Sequence, residues 1–165
     1  MSSGSLTPAD ADETSNDLAV AESTVATNLL GPIRMLNAFA PFLVGRDDAV
    51  VMNVSSGLAF VPLPITPTNS ATKAAIHSFT ESLRVQLADT PVQVIELIPP
   101  LVRTALMGSE NDERGMPLDD YLSEGMALLQ AQPDAEQILV ERVKRQRFAE
   151  ADGAYDTVLA MQSGR

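Results

Sequence analysis

The sequence predicts an α/β fold with parallel strands flanked by helices, and three stretches carry that prediction. Residues 49–54 (AVVMNV) form a short run that is apolar on both faces, the pattern of a strand buried in a parallel sheet. Residues 92–98 (VQVIELI) read as a second strand, stopped by Pro99 and Pro100. Between them a helix over residues 69–87 has Ala71, Ala75, Phe79, Leu83 and Leu87 at helical spacing as its buried face. Strand, helix and strand in about 50 residues make a βαβ unit with a right-handed crossover.

The remaining elements follow in order. Residues 1–16 are small, polar and acidic, with almost nothing to bury, and are expected to be a disordered leader to a domain over residues 17–165. Over residues 17–44 the apolar side chains Leu18, Ala21, Val25, Leu29, Ile33, Leu36, Ala40 and Leu43 recur at helical spacing, with interruptions expected at Pro32 and Pro41. A turn over residues 45–48 leads into the first strand. Three prolines make residues 60–68 a loop, and Thr66 with Pro67 is a capping pair for the next helix. After Thr104 comes a polar loop, and then helices over about residues 118–130, 134–145 and 155–161.

Composition removes several classes of function. The chain has 165 residues, no cysteine and a net charge of −11. Without cysteine there is no disulfide framework, thiolate metal site or cysteine nucleophile, and a cytoplasmic setting is expected. An acidic surface repels phosphate backbones and anionic lipid heads, so nucleic acid and membranes are not expected partners. No apolar run approaches the roughly 20 residues that cross a bilayer.

Three segments carry chemistry. Asn28 lies in the long first helix, Ser55-Ser56-Gly57 ends the first strand, and Asn69-Ser-Ala-Thr-Lys73 opens the next helix. This layout resembles the short-chain dehydrogenase/reductase family, whose pattern is Asn, then Ser, then Tyr-x-x-x-Lys. Ser56 precedes position 69 by 13 residues, the family's usual interval. Residues 99–104 (PPLVRT) resemble the loop that covers the nicotinamide, so Pro99, Pro100, Val102 and Thr104 are its expected remnant.

The resemblance implies a partial Rossmann-like fold and a proton-relay chemistry. In the family, tyrosine exchanges a proton with the carbonyl oxygen while the cofactor carries hydride. A lysine at i+4 shares its helix face and lowers a phenol pKa that is otherwise near 10. The serine holds the substrate oxygen, and the asparagine's free main-chain carbonyl anchors a water. Here Pro32 has no N–H to return to Asn28, so that carbonyl is expected to be unpaired.

Two departures set the functional expectation. Asn69 stands where the tyrosine belongs, and an amide has no proton to exchange near neutral pH. Ser70 and Thr72 are expected to point away from Lys73's face and not to replace it. In addition, the nine glycines are not arranged as the glycine-rich turn that seats a pyrophosphate, so the nucleotide-binding N-terminal half is expected to be missing. The expectation is a truncated, degenerate homologue with little or no activity and no bound cofactor, NAD(P) entering only if the family activity is retained. The alternatives are an active NAD(P)-dependent oxidoreductase completed by another chain, and a non-redox enzyme reusing Ser56 and Lys73. A homo-oligomer, or association with a full-length homologue through helices 17–44 and 69–87, is expected to cover the exposed edge.

Other candidates have plainer readings. His77 is read as a helix-packing histidine without a visible partner. Arg142, Lys144, Arg145 and Arg147 read as a solvated helix end favoured by the dipole. Leu118, Tyr121, Leu122 and Met126 fit either a substrate-facing lid or ordinary core spacing.

Overall fold

A computed structural model describes residues 17–164, the side chains of Met107 and Gly108 excepted; the expected leader lies outside them. Asp17 caps the first helix, its carboxylate accepting from the Ala19 amide at 2.9 Å. Helix α1 (Leu18–Val25) runs through a π-helical turn (Ala26–Leu30) into α2 (Gly31–Leu43). The turn has a cause in the sequence. Pro32 cannot donate to Asn28, and the Gly31 amide reaches back five residues to the Ala26 carbonyl instead. The interruption expected at Pro41 does not occur: α2 runs on through it to Leu43.

Strand β1 (Val50–Val54) pairs in parallel with β2 (Gln93–Ile98), and β2 with β3 (Gln137–Leu139), giving the order β1-β2-β3. Helix α3 (Pro67–Gln86) connects β1 to β2 as expected. The strand β3 corrects the expectation of a helix over residues 134–145. Three residues are too few for a local periodicity, and it is the pairing with residues 96–98 of β2 that makes them a strand. Only afterwards does the chain become helical, as α5 (Glu141–Arg147); α4 (Leu118–Ala131) precedes β3 and α6 (Tyr155–Gln162) closes the fold.

Two details of α3 also differ from expectation. Thr66 stands at the N-cap, but its hydroxyl makes no capping bond and is buried without a partner among the described residues. Ser70 ties the corner, accepting from the Leu63 amide at 3.1 Å and donating to the Thr66 carbonyl at 3.1 Å. The buried line is Ser70, Thr72, Ile76, Thr80 and Leu83, while Ala71 is exposed and Ala75 half-buried. The helix is rotated because the sheet beneath it is partly polar: Asn53 of β1 donates to the Thr80 hydroxyl at 2.9 Å, with both buried.

The core falls into distinct clusters. Ala49, Val51, Leu83, Val92 and Val94 pack together with Leu36, Leu43, Phe79 and Leu87. Ile98, Met116, Val140 and Val143 form a second, into which Phe60, Tyr121 and Leu128 fit. Tyr121 is thus core, whereas Leu118, Leu122 and Met126 stay 43%, 50% and 55% exposed. β1 departs from the expectation of burial on both faces: Val51 and Asn53 are buried, but Val50, Met52 and Val54 remain 48%, 39% and 49% exposed. No described element covers that face, and β1 is an edge strand. Among the described residues no helix is long and apolar enough to cross a membrane.

Candidate functional site

The carboxyl ends of β1 and β2 lie side by side, with Ser56 following one and Pro99 the other. The Ser55 amide donates to Leu97 at 3.0 Å, and the Gly57 amide donates to Pro99 at 3.0 Å, tying the two strand ends together. Ser56 starts a 3₁₀ turn (Gly57–Ala59), its hydroxyl accepting from the Leu58 amide at 3.2 Å. The turn packs against α3 on one side and α5 on another. Gly57 suits that approach: a Cβ there would make the Gln146 side chain swing aside and would press on Val143 Cγ2 at 3.0 Å.

The helices supply the polar groups. Asn28, on the π-helical turn, donates through Nδ2 to Asn69 Oδ1 at 3.1 Å and lies 3.4 Å from Thr72 Oγ1. Thr72 is buried and donates to the Asn69 carbonyl at 2.7 Å. Thr72, expected to point away from Lys73's face, belongs to the Asn28–Asn69 cluster. Lys73 extends to β1, its Nζ donating to the Val54 carbonyl at 3.2 Å, two residues before Ser56. Burial pushes the Lys73 ammonium below its ordinary range.

The expected nicotinamide-loop residues follow β2 directly. Val102 bridges in parallel to Met116, and Thr104 Oγ1 accepts from the Leu106 amide at 3.3 Å. Ser109 Oγ lies within 3.0 Å of the Val102 carbonyl and 3.1 Å of the Thr104 carbonyl. Arg103 adds bonds from Nε to the carbonyls of Asp112 and Gly115 at 3.1 and 3.0 Å. Pro100 is half-buried and Pro99 is joined to Gly57. The segment is a folded loop, not a slack one.

Sequence reasoning missed one group. His77 is not without a partner: its Nδ1 meets the Glu96 carboxylate at 2.9 and 3.1 Å, and Glu96 is fully buried. The hydrogen bond and charge of Glu96 push His77 up against the opposing effect of burial. Burial pushes Glu96 the other way, but its hydrogen bonds, that from His77 foremost, hold it below the ordinary carboxylate range. The signal available was a glutamate in the middle of an apolar strand, which demands a partner. Arg147, expected to be solvated, instead lies over the Phe60 ring at 4.6 Å and the Phe148 ring at 5.3 Å.

A crevice beyond the carboxyl ends of parallel strands, lined from the following loops and helix, is where doubly wound α/β proteins bind their ligands. The family model for short chain dehydrogenases matches residues 3–115, and the chain belongs to that family. It is 42% identical over 100 residues to the uncharacterized oxidoreductase DltE of Bacillus subtilis, covering 61% of this chain and 40% of that protein. It is similar to a short chain dehydrogenase from Burkholderia cenocepacia in complex with NADP, at 25% identity and a TM-score of 0.74 over 89% of this chain and 62% of that one. A 3-ketoacyl-(acyl-carrier-protein) reductase from Brucella melitensis complexed with NADH superposes with a TM-score of 0.62 at 25% identity, covering 73% and 55% of the two chains. The chain therefore spans about two-fifths of the length of the curated relatives it matches.

Proposed function

We propose that this chain is a degenerate short chain dehydrogenase homologue with little or no oxidoreductase activity of its own. The observation that carries the reading is Asn69, one turn before Lys73, with its amide tied to Asn28. Proton exchange at a carbonyl oxygen needs a group that can lose and regain a proton, and a carboxamide cannot do so near neutral pH. Ser56 can still orient an oxygen, and a lysine whose charged form is penalised by burial can still pass a proton. Neither replaces a phenol at position 69.

The nicotinamide cofactor bound by the relatives fits these residues only in part. The loop with Pro99, Pro100, Val102 and Thr104 is suited to cover a nicotinamide ring. The pyrophosphate is another matter, since it needs a glycine-rich turn leading into a helix N-terminus. The described glycines with positive φ are Gly153 and Gly164, which flank the last helix, α6, and lie far along the chain from β1 and β2. We infer that this chain alone holds no NAD(P). The alternative, an active NAD(P)-dependent oxidoreductase completed by another polypeptide, is favoured by the folded loop over residues 99–116.

Titration of the purified chain with NADH, read by nicotinamide fluorescence, tests the leading reading. No enhancement is expected. Saturable binding rejects the leading reading, and in that case Asn69→Tyr should raise carbonyl reduction by about 10²–10⁴-fold, the usual worth of a general acid.

We also propose that the chain associates through its long helices with a second copy or with a full-length homologue. Met35, Phe39 and Phe42 fall along α2 at spacings of four and three and are 59%, 50% and 56% exposed. Light scattering is expected to give a mass above the 17.6 kDa of one chain, and Phe39→Glu to return it to that value. A monomer at every accessible concentration rejects self-association.

A further inference from the structure

Five side chains from five segments close a ring beside the Ser56 turn. His77 on α3 meets Glu96 on β2 at 2.9 Å, and Gln137 on β3 donates through Nε2 to Glu96 Oε2 at 2.9 Å. Arg147 at the end of α5 donates through Nε to Gln137 Oε1 at 2.9 Å and lies over the ring of Phe60 at 4.6 Å. Phe60, directly after the 3₁₀ turn, meets the His77 ring at 4.7 Å and 62°, which closes the circuit. Phe60, His77 and Arg147 also line an open cleft of about 470 Å³ with Ala59, Glu150 and Ala151. Water therefore reaches one side of the ring while Glu96, on the other, is fully buried.

We propose that this ring is a proton-operated latch: with His77 charged it fastens the turn after Ser56 and helix α5 to α3, and loss of that proton loosens both. The argument rests on the charges that face His77. Glu96 approaches from β2, and Glu81, on the same helix, lies 3.7 Å from Nε2. Glu150 lines the same cleft. Against them stand Arg147 from α5, across the Phe60 ring, and Lys73 one turn earlier on α3, whose ammonium is engaged by the Val54 carbonyl. Among the described residues, His77 is the one cationic group in direct contact with Glu96.

A neutral imidazole can still donate one hydrogen bond to Glu96, but it leaves a buried carboxylate without a counter-charge, which is costly. Water drawn from the cleft would then solvate Glu96 in place of Gln137. Gln137 in turn positions the guanidinium that sits on Phe60, so the loss propagates to the Ser56 turn and to α5. Each link is a contact on the circuit, and the two ends of the disturbance are the segments carrying Phe60 and Arg147.

His77 is the sole histidine, so the full chain gives one imidazole signal. The test follows that signal by NMR across pH together with amide hydrogen-exchange protection, corrected for intrinsic exchange, in residues 57–61 and 141–149. The imidazole midpoint is expected above the ordinary value of about 6.5. Protection in both segments should fall across the same midpoint, by about tenfold for each unit by which it exceeds that value. His77→Gln should abolish the step. Arg147→Met opens the ring on its far side, so His77 should still titrate high while the step in residues 141–149 disappears; this variant serves even if His77→Gln fails to fold. Protection that stays flat through the wild-type titration, a step that survives in His77→Gln, or a step in residues 141–149 that survives in Arg147→Met overturns the latch.

Discussion

His77→Leu is expected to lower the stability of the folded chain by about 3–5 kcal/mol, the usual penalty for removing one partner of a buried ion pair. Glu96 is fully buried and His77 only 18% exposed, so solvent screens the pair little. At roughly 2–4 °C per kcal/mol for a chain of this size, the melting temperature should fall by about 6–20 °C. Replacing both residues, as in His77→Leu with Glu96→Leu, removes the orphaned charge and should recover most of the loss. The Gln137 amide would then lose its acceptor, which keeps the recovery incomplete. If the single variant melts with the double, the pair does not hold the sheet to α3.

The same pair fixes a pH window. His77 is raised in the fold, so its contribution is complete below 6.5 and is lost as pH rises through the folded value. Glu96 is depressed, so its contribution is complete above 4.5 and is lost as pH falls through the folded value. Wild-type stability attributable to the pair should therefore be greatest between 4.5 and 6.5 and decline on both sides. The double leucine variant should lack this maximum. Thermal melts from acid to mildly alkaline pH supply the comparison.

What the sequence made legible was local. The runs around Val51 and Ile95, the helix of Lys73 and the interval from Ser56 to position 69 all carry patterns that need no distant partner. β3 did not: Gln137–Leu139 is a strand because β2 lies beside it, and three residues hold no period. The orientation of α3 was hidden for a related reason. Its hydroxyls look exposed in a binary pattern, yet Thr80 is buried because Asn53 lies beneath it. Pro32 was the most informative residue of the site, since one missing N–H accounts for the π-helical turn that presents Asn28 to Asn69. Glu96 and His77 were visible separately, but their contact spans 19 residues and both ends of the crossover.

Ile98→Ala should cost about 2–5 kcal/mol, whereas Met52→Ala in the isolated chain should stay within about 0.5 kcal/mol. Ile98 is fully buried against Met116, Val140 and Val143, where truncation leaves a cavity that cannot collapse. It also directly precedes Pro99, whose carbonyl holds the Gly57 amide, so the loss should reach the Ser56 turn. Met52 points to the open face of β1 between Val50 and Val54 and is 39% exposed. An apolar row on an edge strand has little to lose while water covers it, and much more once another surface does. Denaturation with and without a full-length homologue therefore reads that face directly. If the homologue docks there, Met52→Ala becomes costly in the complex while Ile98→Ala costs the same in both; if it docks only through α2, Met52→Ala stays neutral throughout.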